Sequence, residues 1–265
     1  MRGNEYQQLY ICSKLIDVLK KIEKHGDIVG ENGILVIPSV SNMSMDFGKR
    51  FWISDDTDLN RLFPGNPSGE SGSRVAYAIM ETTKGYRYGI HLPSFYLGGT
   101  FMPHIRLLDP EHGSTSLANL FGLPYVIEAK SRPFDRTTLH NNWQRNGTEA
   151  FSLYTGMTGK IDDELAAQAV SSILRFLTRM GIIRYYSHSG YIASVLKEGD
   201  LEPIMTEAAG IFIKKAECGQ EVSRGDVLAQ IMKADSGEII SEVKAPTDGI
   251  IFYAETRPVV YSNLL

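Results

Sequence analysis

Over residues 1–200, apolar positions that recur every three or four residues are separated by apolar runs too short to be helices. That alternation restricts the chain more than any single motif. Tyr6, Leu9, Tyr10, Leu15, Ile16, Leu19 and Ile22 form one stripe of a helix that ends near His25-Gly26. Ile34-Leu35-Val36-Ile37, closed by Pro38, reads as a buried strand. Helical spacing returns from Glu70 to Thr83 and gives way to the aromatic run Tyr86–Leu92. Tyr125-Val126-Ile127 and Ala150–Tyr154 read as two more strands with a loop-rich stretch between them. Asp162-Asp163-Glu164 then opens a helix to Met180, with Gly181 just past its end. Strands alternating with helices predict an α/β fold, a mostly parallel or mixed sheet flanked by helices.

After Leu201 the texture changes. Short β-rich runs are punctuated by Gly219-Gln220, Arg224-Gly225-Asp226, Ser236-Gly237 and Thr247-Asp248-Gly249, a turn spacing that describes a small all-β barrel-sandwich. The expected division is residues 1–205 and 206–265, the second serving as a cap or as a homo-oligomer contact. Met232-Lys233-Ala234 is similar to the modified-lysine segment of biotinyl and lipoyl carriers, but the stretch to Ala245 is too long for that pattern.

At 265 residues and 43% apolar content the chain can bury one large core and a small satellite. The net charge of −4 comes from interspersed acids and bases, with no basic stripe for nucleic acid and no polybasic run for an anionic membrane. A small-molecule partner is the expectation. Cys12 and Cys218 form no C-x-x-C spacing, there is no apolar run of membrane-spanning length, and the first residues lack a signal-peptide pattern. These features predict a cytoplasmic protein.

Three segments place chemistry where strands give way to loops: Arg2-Gly3-Asn4-Glu5, Asp58-Leu59-Asn60-Arg61 and Gly89-Ile90-His91. Open parallel sheets collect ligands beyond the carboxyl ends of their strands. A carboxylate at a helix start and an imidazole at a strand end are both donors that zinc accepts.

With N-M-S-M-D-F-G-K-R (42–50), D-L-N-R-L-F-P-G (58–65), P-H-I-R (103–106) and the barrel-sandwich tail, these segments resemble the succinylglutamate desuccinylase/aspartoacylase family of zinc carboxypeptidase-like hydrolases. The likeness runs in order over nearly the whole chain, and D-L-N-R-x-F-P-G is its most specific part. The resemblance implies a zinc-dependent deacylase acting on an N-acyl amino acid or a similar small carboxylate. It implies Glu5 and His91 as metal ligands, Asn60 and Arg61 as a carboxylate clamp, Arg106 as a further anion contact and Glu149 as general base. A planar guanidinium and a neutral amide ahead of the Pro64-Gly65 turn suit a carboxylate.

One departure cuts into this expectation. The family's first metal-binding histidine corresponds to Arg2, and a permanently protonated guanidinium has no lone pair for zinc. The aspartate that commonly precedes the family's later histidine is replaced by Ile90; the family also has a strand upstream of this motif, whereas this sequence begins at the motif itself, so the expectation is either a misplaced or truncated start or a fold without its usual first strands. His104, His112 and His140 are the candidates to replace the missing ligand. The alternative to an enzyme is a catalytically inactive relative that keeps a carboxylate pocket as a binding or interaction module.

Overall fold

The computed structural model describes residues 1–95, 98–109 and 115–262. In chain order the first elements are α1 (Tyr6–Lys24), α2 (Asn42–Asp46), a 3-10 turn (Leu59–Arg61) and α3 (Ser71–Thr82). They are followed by β1 (Tyr88–His91), β2 (Thr100–Leu108), α4 (Thr115–Asn119), β3 (Tyr125–Ala129), α5 (Leu139–Arg145), β4 (Glu149–Gly156), α6 (Asp163–Arg179) and β5 (Ser194–Lys197). The chain divides into two compact units, one of residues 1–94 and 103–198, the other of residues 95–102 and 199–265.

The first unit is built on strands in the order β1-β4-β2-β3-β5, with β1/β4, β2/β3 and β3/β5 parallel. Two apolar clusters cover its faces. The larger one joins the stripe of α1 (Ile11, Leu15, Leu19) to Phe121, Phe151 and Phe176. Those three rings meet at centroid distances of 4.3 to 5.3 Å. The second cluster packs Leu59, Phe63, Ile79, Leu139 and Trp143 around Ala150. Gly89 is required beneath this cluster, because a Cβ there would lie 2.5 Å from the Trp143 ring.

The predicted helices stand: α1 stops at His25 before the left-handed Gly26, and Asp162 caps α6 by accepting from the Leu165 N–H. Two expectations need correction. The central strand β2 lies between the runs read at Tyr86–Leu92 and Tyr125–Ile127, where the sequence pattern assigned no element, and Pro103 lies within it. Ile105 and Leu107 are buried on one face and His104 and Leu108 on the other, so packing on both faces outweighs the missing donor. The run Ile34–Ile37 is extended but joins no sheet, and Leu35 and Ile37 are exposed rather than buried.

The second unit is all β, as expected. It contains β6 (Gly210–Lys214), β7 (Glu221–Val222), β8 (Val227–Met232), β9 (Ile239–Lys244), β10 (Gly249–Ile250), β11 (Tyr253–Ala254) and β12 (Val259–Val260). An antiparallel sheet β12-β6-β8-β9 and the pair β10-β7 enclose Ala229, Ile231 and Val260. Tyr253 and Ala254 pair with Phe101 and Thr100, which joins residues 95–102 to this unit.

Phe176 is fully buried among aromatic rings. Phe176→Ala is expected to lower unfolding free energy by about 3–5 kcal/mol, measured by urea denaturation.

Candidate functional site

β1 and β4 run parallel with His91 beside Ser152, so both side chains lie on the face occupied by α5, His91 at the carboxyl end of β1 and Ser152 midway along β4. Glu5, at the start of α1, reaches the same region: its Oε1 accepts from the N–H and the hydroxyl of Ser94, at 3.2 and 2.6 Å. Its Oε2 accepts from the Arg2 N–H at 2.8 Å and from the Met1 nitrogen at 2.6 Å. The carboxylate is 5% exposed and its hydrogen-bonding capacity is taken up by these donors.

Arg2 lies between two acids. Its Nη1 is 3.3 Å from Glu5 Oε1, and its Nε and Nη2 donate side by side to Asp58 at 3.1 and 2.7 Å. Asp58 Oδ1 also accepts from the Asn60 N–H, so one carboxylate both holds Arg2 and starts the turn that carries Asn60 and Arg61. Burial alone would lower the Arg2 pKa, but Asp58 and Glu5 raise it. Burial would likewise raise the Glu5 pKa, but the chain-terminal ammonium and Arg2 hold it well below the usual carboxylate range.

The proposed clamp does not close on one ligand in this state. Asn60 is buried and its Oδ1 accepts from the Leu139 N–H at 3.1 Å, fixing the start of α5. Arg61 points the other way: it donates to the Phe134 carbonyl at 3.0 Å, stacks over the Phe134 ring and lies 3.8 Å from Asp135, with 40% of its side chain exposed. Its acidic neighbour is therefore Asp135, while Asp58 belongs to Arg2. Arg106 is bonded at 2.6 Å to Glu198, whose other oxygen meets Arg132.

Glu149 is not brought to this cluster. It opens β4 three residues before Ser152, about 10 Å upstream at strand rise. Strand alternation turns it to the opposite face, with Phe151 and the larger core. Its Oε2 is buried without a hydrogen-bond partner. That placement does not suit a base acting beside His91.

His91 is 8% exposed, and its Nε2 has no hydrogen-bond partner. Burial pushes its pKa down to about 3, partly opposed by Glu5. His140, which sequence reasoning kept only as a substitute ligand, bonds Ser152 Oγ through Nδ1 at 2.8 Å and leaves its Nε2 without a partner. Burial, then the Arg106 charge, lowers its pKa to about 4. His104 instead stacks on Tyr154 with ring centroids 5.0 Å apart, and His112 lies outside the described residues. Ser94 and Ser152 carried no motif that could have marked them, whereas Asp58 was visible in D-L-N-R but without its partner.

These residues do not fit the zinc ion that the resemblance implies. The unpartnered His91 nitrogen is a suitable donor, but Glu5 is already engaged by Arg2, Ser94 and the Met1 nitrogen, and a buried cation bonds to it directly. Among the described residues, no three His, Cys, Asp or Glu side chains converge as a metal-ligand group. What the cluster offers instead is one guanidinium shared between two carboxylates, beside two buried imidazoles whose pKa values burial pushes down.

The architecture is that of the succinylglutamate desuccinylase/aspartoacylase family, and the resemblance carried by the motifs stands. A succinylglutamate desuccinylase from Silicibacter sp. TM1040 superposes with a TM-score of 0.83 at 19% identity, over 99% of this chain and 80% of that one. The ectoine utilization protein EutE (DoeB) from Ruegeria pomeroyi gives a TM-score of 0.82 at 20% identity over the same shares. In sequence, the chain is 23% identical over 278 residues to the N-alpha-acetyl-L-2,4-diaminobutyric acid deacetylase of Halomonas elongata, covering 94% of this chain and 73% of that protein. No family model matches the chain. No helix among the described residues is long and apolar enough to cross a membrane.

Two measurements test the site. Arg2→Ala leaves the buried Glu5 and the half-buried Asp58 without their shared cation and is expected to destabilise by about 3–5 kcal/mol in urea unfolding. His91 and His140 are neutral when folded but take up protons near pH 6.5 when unfolded. Stability should therefore fall as pH drops from about 6.5 towards 4, by up to about 1.4 kcal/mol per pH unit for each histidine. His140→Gln should flatten that slope.

Proposed function

We propose that this chain is a metal-independent relative of the deacylases that binds a small carboxylate, of the N-acyl amino acid class, without hydrolysing it. One observation carries the reading: the Arg2 guanidinium bridges Glu5 and Asp58 where the family places a metal-binding histidine. The substrate class comes from the likeness to an N-acetyl-diaminobutyrate deacetylase. Arg61, with its partly exposed guanidinium, makes the carboxylate contact. Asn60 positions Arg61 through its bond to Leu139. Arg106 joins when a ligand carboxylate displaces Glu198.

A second reading is a zinc-dependent amidohydrolase with Glu5 and His91 as ligands. The unpartnered Nε2 of His91 favours it.

Calorimetric titration with N-α-acetyl-L-2,4-diaminobutyrate and N-acetylaspartate, paired with assays for release of acetate, separates the two. The proposal expects an intact ligand to bind, no acetate with or without added zinc, and an affinity about tenfold weaker in Arg61→Ala, equivalent to about 1.4 kcal/mol. In Arg2→His, a third donor replaces the cation and zinc content should rise towards one per chain. Acetate release by the unaltered chain that depends on zinc and disappears in His91→Ala would establish the second reading instead.

A further inference from the structure

A cavity of about 360 Å³ lies between β1, α1 and residues 32–38, and it reaches the candidate site at His91, which lines it. Its volume falls within the roughly 300–1,000 Å³ of small-molecule sites. α1 contributes Leu15 and Leu19, α3 Ile79, and α6 Ile173 and Leu177, so the inner wall is buried hydrocarbon. Leu35 and Ile37 form an exposed outer lip, where backbone groups meet solvent. Water gains little against the inner wall, because a trapped molecule needs about two to four polar partners.

Two side chains that are more than nine-tenths buried, Gln8 (7% exposed) and His91 (8%), bring unpartnered polar atoms to this cavity. Gln8 Nε2 donates to the Pro93 carbonyl at 3.3 Å, which leaves Oε1 as a buried acceptor without a donor. Nε2 of His91 also lacks a partner. Burial keeps that imidazole neutral, and the tautomer with its proton on Nε2 is a donor there. The pair therefore suits an occupant with hydrocarbon along its length and, at one end, one donor beside one acceptor. A secondary amide on an alkyl chain has this pattern. An ester lacks the N–H, and a fatty acid at neutral pH brings a charge and no donor into a buried place.

The cavity is also tied to the carboxylate contact. Leu139 lines it, and the Leu139 N–H bonds Asn60 Oδ1, next in sequence to Arg61. We infer, taking the carboxylate-binding reading as given, that the ligand is an N-acyl amino acid with a long alkyl acyl group whose chain fills this cavity. Its amide N–H donates to Gln8 Oε1, its amide carbonyl accepts from His91 Nε2, and its carboxylate lies towards Arg61. An acetyl group would leave most of the hydrocarbon wall uncovered.

Calorimetric titration with N-acetyl-L-aspartate, N-octanoyl-L-aspartate and the ester isostere 2-octanoyloxysuccinate tests this. The octanoyl amide is expected to bind at least about tenfold more tightly than the acetyl amide, because its chain leaves water. It should also bind about tenfold more tightly than the ester, which leaves Gln8 Oε1 unmet. Val36→Trp, which fills the cavity from its outer wall, should abolish the advantage over acetyl, and Gln8→Leu the advantage over the ester. If circular dichroism shows that Val36→Trp does not fold, Ile34→Trp takes its place. Binding of N-acetyl-L-aspartate with no gain from the longer chain overturns the inference and leaves the carboxylate reading standing. A gain that survives the tryptophan, or an ester that binds as well as the amide, overturns it too. If no acylated aspartate binds, both fall.

Discussion

A guanidinium held between one buried and one half-buried carboxylate organises the functional end of this protein. Arg2 joins Glu5, at the head of α1, to Asp58, which starts the turn bearing Asn60 and Arg61. Asn60 then fixes the start of α5, and α5 carries His140 to Ser152 on β4. Charges removed from water are tolerated only when each is met by an opposite charge and by hydrogen bonds, and here every partner belongs to a different element. The same arrangement engages the Glu5 carboxylate, one of the two groups that the resemblance assigns to a metal.

The sheet supplies the other constraint. Because β1 and β4 are parallel, their carboxyl ends open on one side of the fold, and every charged residue of the cluster arrives there from a loop or a helix start. Strand alternation then sorts residues by face, so that His91 and Ser152 share the site while Glu149 goes to the core side. A residue can stand in the correct order along the sequence and still lie on the wrong face, since one position along a strand reverses its side chain.

Much of the architecture was legible in advance. The stripes of α1, α3 and α6 have strong helical periodicity and recognisable ends, and the close turns after Leu201 announced a β unit. β2 was hidden by Pro103, because a proline argues against a central strand unless burial on both faces outweighs it. Ile34–Ile37 failed in the opposite sense: its composition is that of a strand, but strand pairing requires a neighbour and the described residues provide none.

In the candidate site, the sequence by itself determined which chemical groups are present: a guanidinium where the family has an imidazole, an Asp-Leu-Asn-Arg turn and a histidine at a strand end. It also determined that Arg2 could donate hydrogen bonds but never a lone pair, a property of the side chain alone. Only the tertiary structure decided who meets whom. Asp58 pairs with Arg2 rather than Arg61, Arg61 turns to Phe134, and His140 comes within reach of Ser152. Hydrogen bonds and ion pairs act over about 3 Å, and contacts this short between residues up to 92 positions apart arise only from the packing of the elements that carry them.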